Sequence, residues 1–327
     1  MSTRVPALAG VILALTSLGA ALQAQAPANA PATASANRPV PRTVWGHPDL
    51  QGTWDYRTIT PLERPASAGD REFLTDAEVT DLEARATARL EGAPEDNPRS
   101  ITIHAPYWTD PGRYVLDDKR TSLIVDPPGG RIPALTPDGQ QRAAARQMAR
   151  TGRGAADGPE DRTNLERCIT YGLPTNILPG LYNNNIHLVQ SPTHVAILHE
   201  MVHEVRIIPI DGTPHLTANL RPLIGDSRGH WEGDTLVVET TNFSDRTSYR
   251  GSSPTLRVVE RFSRVDADTL GYQLTLEDPS TWVSPWTAAY PMKPSEGPVY
   301  EYACHEGNYG LANILEVARD EEKLAAR

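Results

Sequence analysis

The amino-acid sequence predicts a mainly β fold: an antiparallel meander forming a barrel or sandwich, decorated by two or three helices. Three observations carry that expectation. Within residues 226–278, Leu236 and Val238 alternate with Val237 and Glu239. Leu256, Val258 and Phe262 then alternate with Arg257 and Arg261, and Leu270, Tyr272, Leu274 and Leu276 with Gln273, Thr275 and Glu277. A period of two sends successive side chains to opposite faces of a strand. Glu232-Gly233-Asp234 and Asp266-Ala267-Asp268 separate the runs with the short polar turns that join antiparallel neighbours. Finally, the strand-like runs outnumber the helical ones without alternating with them, which argues against a parallel α/β sheet.

The chain begins Met-Ser-Thr-Arg, continues through an almost uncharged run over residues 5–22 and reaches Ala24-Gln25-Ala26. This is the pattern of a secretory signal peptide over residues 1–26, followed by an Ala/Pro-rich tether over residues 27–42. Pro6, Gly10 and Gly19 interrupt the apolar run, and no later stretch approaches the ~20 apolar residues of a bilayer span. The mature chain is therefore expected to be periplasmic or secreted, without a transmembrane span. Removing residues 1–26 deletes one charged residue, Arg4, and moves the formal charge from −10 to −11. An acidic surface repels phosphate backbones, which argues against nucleic acid as a partner. In an oxidising compartment Cys168 and Cys304 are expected to form a disulfide, the rival being two buried thiols.

Residues 43–327 are expected to form a single β-rich domain. Gly52-Thr53-Trp54 stands at the first strand, as at the opening of a lipocalin-like (calycin) barrel whose indole plugs one end. Thr75 and Glu78 make a capping box for a helix near 75–92, with Ala77, Leu82, Ala86 and Leu90 at helical spacing. Residues 113–126 read as a hairpin turning at Asp117-Asp118-Lys119. Thr136-Pro137 opens a helix near 137–150, where Arg142, Arg146 and Arg150 share a face. That stripe is either an anion site or, more in keeping with its pattern, a solvated face or a partner for the acidic first helix. NNIHLVQ, HVAILHEM and HEVRIIPI predict three further strands, VYEYACHE a terminal one, and residues 311–326 a closing helix.

His199-Glu200-Met201-Val202-His203 spells HExxH, which on a helix places two histidines for zinc and a glutamate as base. Its β-branched flanks favour a strand instead, where residues four apart stand ~13 Å apart. A metal held by His199 and His203 is thus an alternative that needs a sharp turn at Met201. On a continuous strand His199, Met201, His203 and Val205 share one face, and Glu200, Val202, Glu204 and Arg206 the other. Asn183, Asn184 and Asn185 precede His187 and offer amides to a hydroxyl or carbonyl, unless they serve a turn. The run from Tyr300 to Tyr309 sets His305 and Glu306 beside Cys304, with Asn308 and Tyr309 following. Arg228 and Trp231 suit an anion clamp and a stacking ring, or a local ion pair at a turn.

The segments DLQGTWDYRTITPLERP, SLIVDPPGGRIPALTP, ERCITYGLP, GDSRGHWEGDTLVVETTNFSD and YEYACHEGNYGL together resemble a widespread group of exported bacterial proteins of unassigned function, common in acidobacteria and proteobacteria. The resemblance spans nearly all of the mature chain. It implies export and carries over no substrate or catalytic residue.

The residues themselves point to an exported enzyme using imidazole and carboxylate acid–base chemistry on a small hydroxylated or cyclic molecule, as a lyase, isomerase or hydrolase without a cofactor. His305, Glu306 and His203 are the expected catalytic groups. Asn183, Asn184, Asn185, His187, Arg228, Trp231, Asn308 and Tyr309 are the expected substrate contacts. The alternatives are a lipocalin-like carrier of a small molecule and the metal-binding protein already mentioned.

Overall fold

The computed structural model describes residues 39–91 and 109–327. The leader, and the tether up to residue 38, lie outside the described residues. Ten strands and three helices follow in order: β1 (Gly52–Asp55), α1 (Asp76–Glu91), β2 (Ile124–Asp126), α2 (Pro137–Ala149), β3 (Asn185–Gln190), β4 (His194–His199), β5 (Glu204–Pro209), β6 (Asp226–Glu232), β7 (Thr235–Thr241), β8 (Arg257–Asp266), β9 (Thr269–Glu277), β10 (Trp286–Pro294) and α3 (Tyr309–Ala325). The sheet runs β5-β4-β3-β1-β10-β9-β8-β7-β6, with β2 added against β10. Its pairings are antiparallel.

The sheet curls into a nearly closed barrel, as the period-two pattern predicted. Its two outer strands meet at Gly229 of β6, where a Cβ would lie 2.7 Å from Ile210 Cγ2 and 3.3 Å from Ile208 Cγ2. A side chain there would wedge the ends apart.

The faces expected to be apolar point inward. Leu236, Val238, Val258, Phe262, Leu270, Tyr272, Leu274 and Leu276 are buried in one cluster with Trp54, Ile186, Leu188, Ile197, Ile208, Trp286 and Tyr290. The interior is filled by side chains, and burial of this apolar surface is the main force holding the barrel together. Trp54 Nε1 donates to Leu50 O at 2.9 Å, and the Arg264 guanidinium lies 4.6 Å from the centre of its ring. One ion pair crosses the same interior. Arg206 of β5 donates to both carboxylate oxygens of Glu260 on β8, one at 3.0 Å, and Tyr272 O–H donates to Glu260 at 3.0 Å.

The helices lie close to their expected bounds. Thr75 and Glu78 exchange capping-box bonds, with Thr75 N donating to Glu78 Oε2 at 2.8 Å and Glu78 N to Thr75 Oγ1 at 3.3 Å. Thr136 caps α2 by accepting from Gly139 N at 3.0 Å. Gly139 permits a close approach, since a Cβ there would sit 2.6 Å from Thr281 O. Two arginines of the α2 face are used by the fold. Arg142 donates to Ser280 O and Thr281 Oγ1 at 2.9 and 2.6 Å, and Arg146 to Ser252 O at 3.4 Å, fastening the helix to the barrel.

Three expectations fail. Residues 113–126 do not form a hairpin, because the two sides of the Leu116–Lys119 turn pair with residues 59–62 instead of with each other. Ile59 N donates to Tyr114 O at 3.0 Å and Leu123 N to Pro61 O at 2.8 Å. VYEYACHE is not a strand; neither of its alternating faces is apolar, and Tyr300 is 71% exposed. The HExxH segment is not a continuous strand either, since a short 3-10 turn over Met201–His203 separates β4 from β5.

Candidate functional site

Cys168 and Cys304 are at bonding distance, with sulfurs 2.11 Å apart, as the sequence predicted. The bridge ties the loop that leads into the barrel to the segment that leads out of it. A cleft opens on each side. The larger, about 730 Å³, is lined by Leu165, Glu166, Tyr182, Asn183 and Asn308. The smaller, about 350 Å³, is lined by Ile169, Val202, His203, Glu204, His305 and Glu306. Glu301, Tyr302, Ala303 and the disulfide itself line both.

The three expected catalytic residues thus come to one cleft from two distant segments. Val202 and His203 take left-handed backbone, with φ of 62° and 55°. This conformation is uncommon outside glycine, and here it turns the His203 ring out of the hairpin. His203, His305 and Glu306 are exposed, and their side chains make no hydrogen bond or ion pair among the described residues. Glu204 is committed to structure. It accepts from Thr170 Oγ1 and, at 3.1 Å, from Asn176 Nδ2. Tyr302 was not singled out by sequence. Burial, together with the hydrogen-bonded neighbouring Tyr182 phenol, pushes its hydroxyl up to about 12, so it keeps its proton at neutral pH.

The expected substrate contacts separate into two groups. Asn183 and Asn308 line the larger cleft. Asn308 Nδ2 also donates to Glu166 O at 3.3 Å. The others are occupied elsewhere. Asn184 is buried, accepts from Gly180 N at 2.7 Å and donates to Gly180 O and Asp110 O at 3.1 Å, so it folds its own loop. Asn185 donates to Glu200 at 2.7 Å across the β3–β4 end, and His187 pairs with Thr53 Oγ1 at 2.9 Å on the neighbouring strand. Arg228 is held by Asp226, Ser227 O and Pro214 O at 2.6–3.0 Å, which is the local ion pair rather than a free clamp. Trp231 stacks on His47, with ring centres 4.4 Å apart and planes 4° from parallel. Tyr309 starts α3, 73% exposed, outside the linings of both clefts.

His199 and His203 stand in opposite surroundings despite the turn between them. His199 is wholly buried and donates from Nδ1 to Asn176 O at 3.0 Å, the tautomer a carbonyl partner requires. Burial, reinforced by the positive charge of Arg206, pushes its ring down to about 3. No group of three or more His, Cys, Asp or Glu is placed to hold a metal among the described residues.

The His199 shift has a pH consequence. Its folded-state value lies below the ordinary 6.5, so between about 6.5 and 3 the unfolded chain holds a proton that the native chain refuses. Stability therefore falls as pH drops through that window, by about 1.4 kcal/mol per pH unit from this residue. Urea denaturation from pH 7 to 4 should show a shallower decline in His199→Gln than in wild type. Identical pH dependence would place the native ring in contact with protons.

The fold and site together define a mainly β protein: a nearly closed antiparallel barrel with an apolar core and, outside it, two clefts braced by a disulfide. No family model, curated protein or solved structure matches the chain.

Proposed function

We propose that the protein is an exported enzyme performing proton-transfer chemistry on a small hydroxylated or cyclic molecule, as a lyase, isomerase or hydrolase. One observation carries this reading: His203, His305 and Glu306, all free of structural partners, line the same cleft. An imidazole can take a proton near neutral pH and a second imidazole or a carboxyl group can return one, which is the minimum that each of these reactions needs. Across the disulfide, the Asn183 amide lines the larger cleft and supplies a neutral donor to a hydroxyl or a developing oxyanion, whereas the Asn308 amide is spent on Glu166 O and Cys168 Sγ. The barrel interior serves as a core and not as a carrier's lumen, which favours the enzyme over the carrier. The leader and the disulfide both support an oxidising address.

The test begins by incubating the mature protein with lactones, hydroxy acids and oligosaccharides and reading products by mass spectrometry. With a substrate found, His305→Ala and Glu306→Gln should each reduce turnover by about 10²-fold or more, the usual scale of acid–base catalysis. Both side chains are exposed, so the melting temperature should stay within a degree or two. Full turnover in both variants would remove these groups from the chemistry.

A further inference from the structure

A third groove, about 320 Å³, borders the larger cleft. One wall comes from residues 163–175 and the other from residues 246–250, and Leu165 is shared with the larger cleft. The 163–175 loop also gives Cys168 and Ile169 to the smaller cleft, so one loop borders all three. Although the chain is acidic, no carboxylate lines this groove, whereas Arg246 and Arg250 do.

Most hydroxyls along the groove are used by the fold. Thr163 donates to Glu166 at 2.9 Å, Ser248 to Ser252 O at 2.7 Å, Thr247 to Leu223 O and Thr170 to Glu204. Arg250 pairs with Glu63 at 2.8 Å. What remains is a set of donors. The Arg246 guanidinium and the hydroxyls of Tyr171 and Thr175 have no side-chain hydrogen bond among the described residues.

Arg246 is also held in place from behind. It sits in the short 3-10 turn Asp245–Thr247, whose cap, Ser244 Oγ, accepts from Arg246 N at 3.3 Å. From the opposite wall Asn164 Nδ2 donates to Arg246 O at 2.9 Å, tying the two walls together. The groove is thus preformed, as ligand sites generally are.

We infer that this groove binds the anionic group of a polyhydroxylated ligand, and that the molecule acted on in the adjoining clefts is an acidic oligosaccharide lying along the 163–175 loop. The substrate class rests on the acid–base reading above; binding at Arg246 does not. A planar guanidinium matches a carboxylate with two parallel hydrogen bonds, and free O–H donors around it match sugar oxygens. Tyr171 lines this groove and Tyr182 and Tyr302 line the larger cleft, aromatic side chains of the kind on which sugar rings pack. Adjoining clefts bordered by one loop suit a ligand with repeated units, and an apolar ligand would strip water from Arg246 with nothing to replace it.

Calorimetry on the full mature protein would use hexamers of galacturonate and mannuronate, with maltohexaose as the neutral control. His305→Ala protein would be titrated in parallel so that binding is read without turnover. At least one acidic hexamer should bind and maltohexaose should not. Arg246→Ala should weaken binding tenfold or more, with partial recovery in Arg246→Lys. The inference is overturned by binding of neither acidic hexamer, by equal affinity for maltohexaose, or by unchanged affinity in Arg246→Ala. Acidic hexamers that bind through Arg246 but are turned over normally by His305→Ala would sustain the groove and remove only the acid–base assignment.

Discussion

Replacing Cys168 and Cys304 together with serine is expected to free the C-terminal arm while leaving the barrel folded. The arm has little else to hold it. α3 contains no buried residue, and its side-chain ties to the body include Arg319 to Asp157 O and Ala156 O at 2.8 and 3.1 Å. Asn308 adds its bond to Glu166 O. Exposed polar contacts of this kind open locally at small cost. The bridge closes a loop with a sequence separation of 136, and losing such a bond commonly costs about 2–5 kcal/mol. The double variant should be trimmed at the C-terminus by brief trypsin treatment that leaves wild type intact, and should show the same β-type circular dichroism as wild type. His305 and Glu306 travel with the arm, so turnover should vanish with it even though the core endures. An arm as resistant in the double variant as in wild type would show that contacts other than the disulfide anchor it.

The second large effect lies at the centre of the barrel. The Arg206 and Glu260 side chains are 1% and 0% exposed, so neither charge has access to water. Arg206→Met should destabilise the protein by about 3–5 kcal/mol, since it abandons the Glu260 carboxylate in an apolar interior. Glu260→Leu should be similarly costly for the opposite charge, and it also orphans the Tyr272 hydroxyl. The combination Arg206→Met, Glu260→Leu, Tyr272→Phe removes both charges and the phenol hydroxyl, leaves Ser227 and Thr240 bonded to each other at 2.8 Å, and should recover most of the loss. Urea midpoints for the single and combined variants decide the matter. Single losses below about 1 kcal/mol would mean that water reaches the pair.

The Arg206–Glu260 pair also shows how far the sequence could be read. Period-two alternation puts Arg206 on the same face as Ile208, and Glu260 between Val258 and Phe262, so both interrupt faces that the pattern marks as core. Alternation alone does not say that two such interruptions, on β5 and β8, answer one another; that depends on how the sheet curls. The meander and the helix caps were legible because their signals are local: side-chain periodicity, a Thr75–Glu78 box, a Thr136 cap. The 113–126 segment was misread for the same reason. Its turn chemistry is that of a hairpin, but the partners of its flanks come from residues 59–62.

Sequence reasoning singled out His203, His305 and Glu306 because titratable groups clustered, the cysteine pair supplied the means of joining the clusters, and the three residues line one cleft. It had no means to see that Asn184 and Asn185 are spent on their own neighbourhood, or that Val202 and His203 adopt left-handed backbone. A β-branched residue such as Val202 gives no local cue for that conformation. The 246–250 wall of the third groove carried no motif at all; it becomes a candidate only once the fold sets it opposite residues 163–175.

The strand order has a consequence for how the chain must come together. β3 to β5 and β6 to β10 are two runs in which each strand pairs with the next along the chain, and apart from the 242–256 connection between β7 and β8 their closing loops are short. Only β1, four residues long and carrying Trp54, joins the runs, pairing with β3 on one side and β10 on the other. The first strand to be synthesised is thus the last that can find both its neighbours. Until β10 exists, Gly52–Asp55 lacks one of its two partners, and Cys304 lies later still. The protein's earliest strand and its final cysteine set the end point of assembly: a chain lacking β1 would leave β3 and β10 without the strand that pairs with both, and one lacking Cys304 would have no covalent bond to fasten the C-terminal arm.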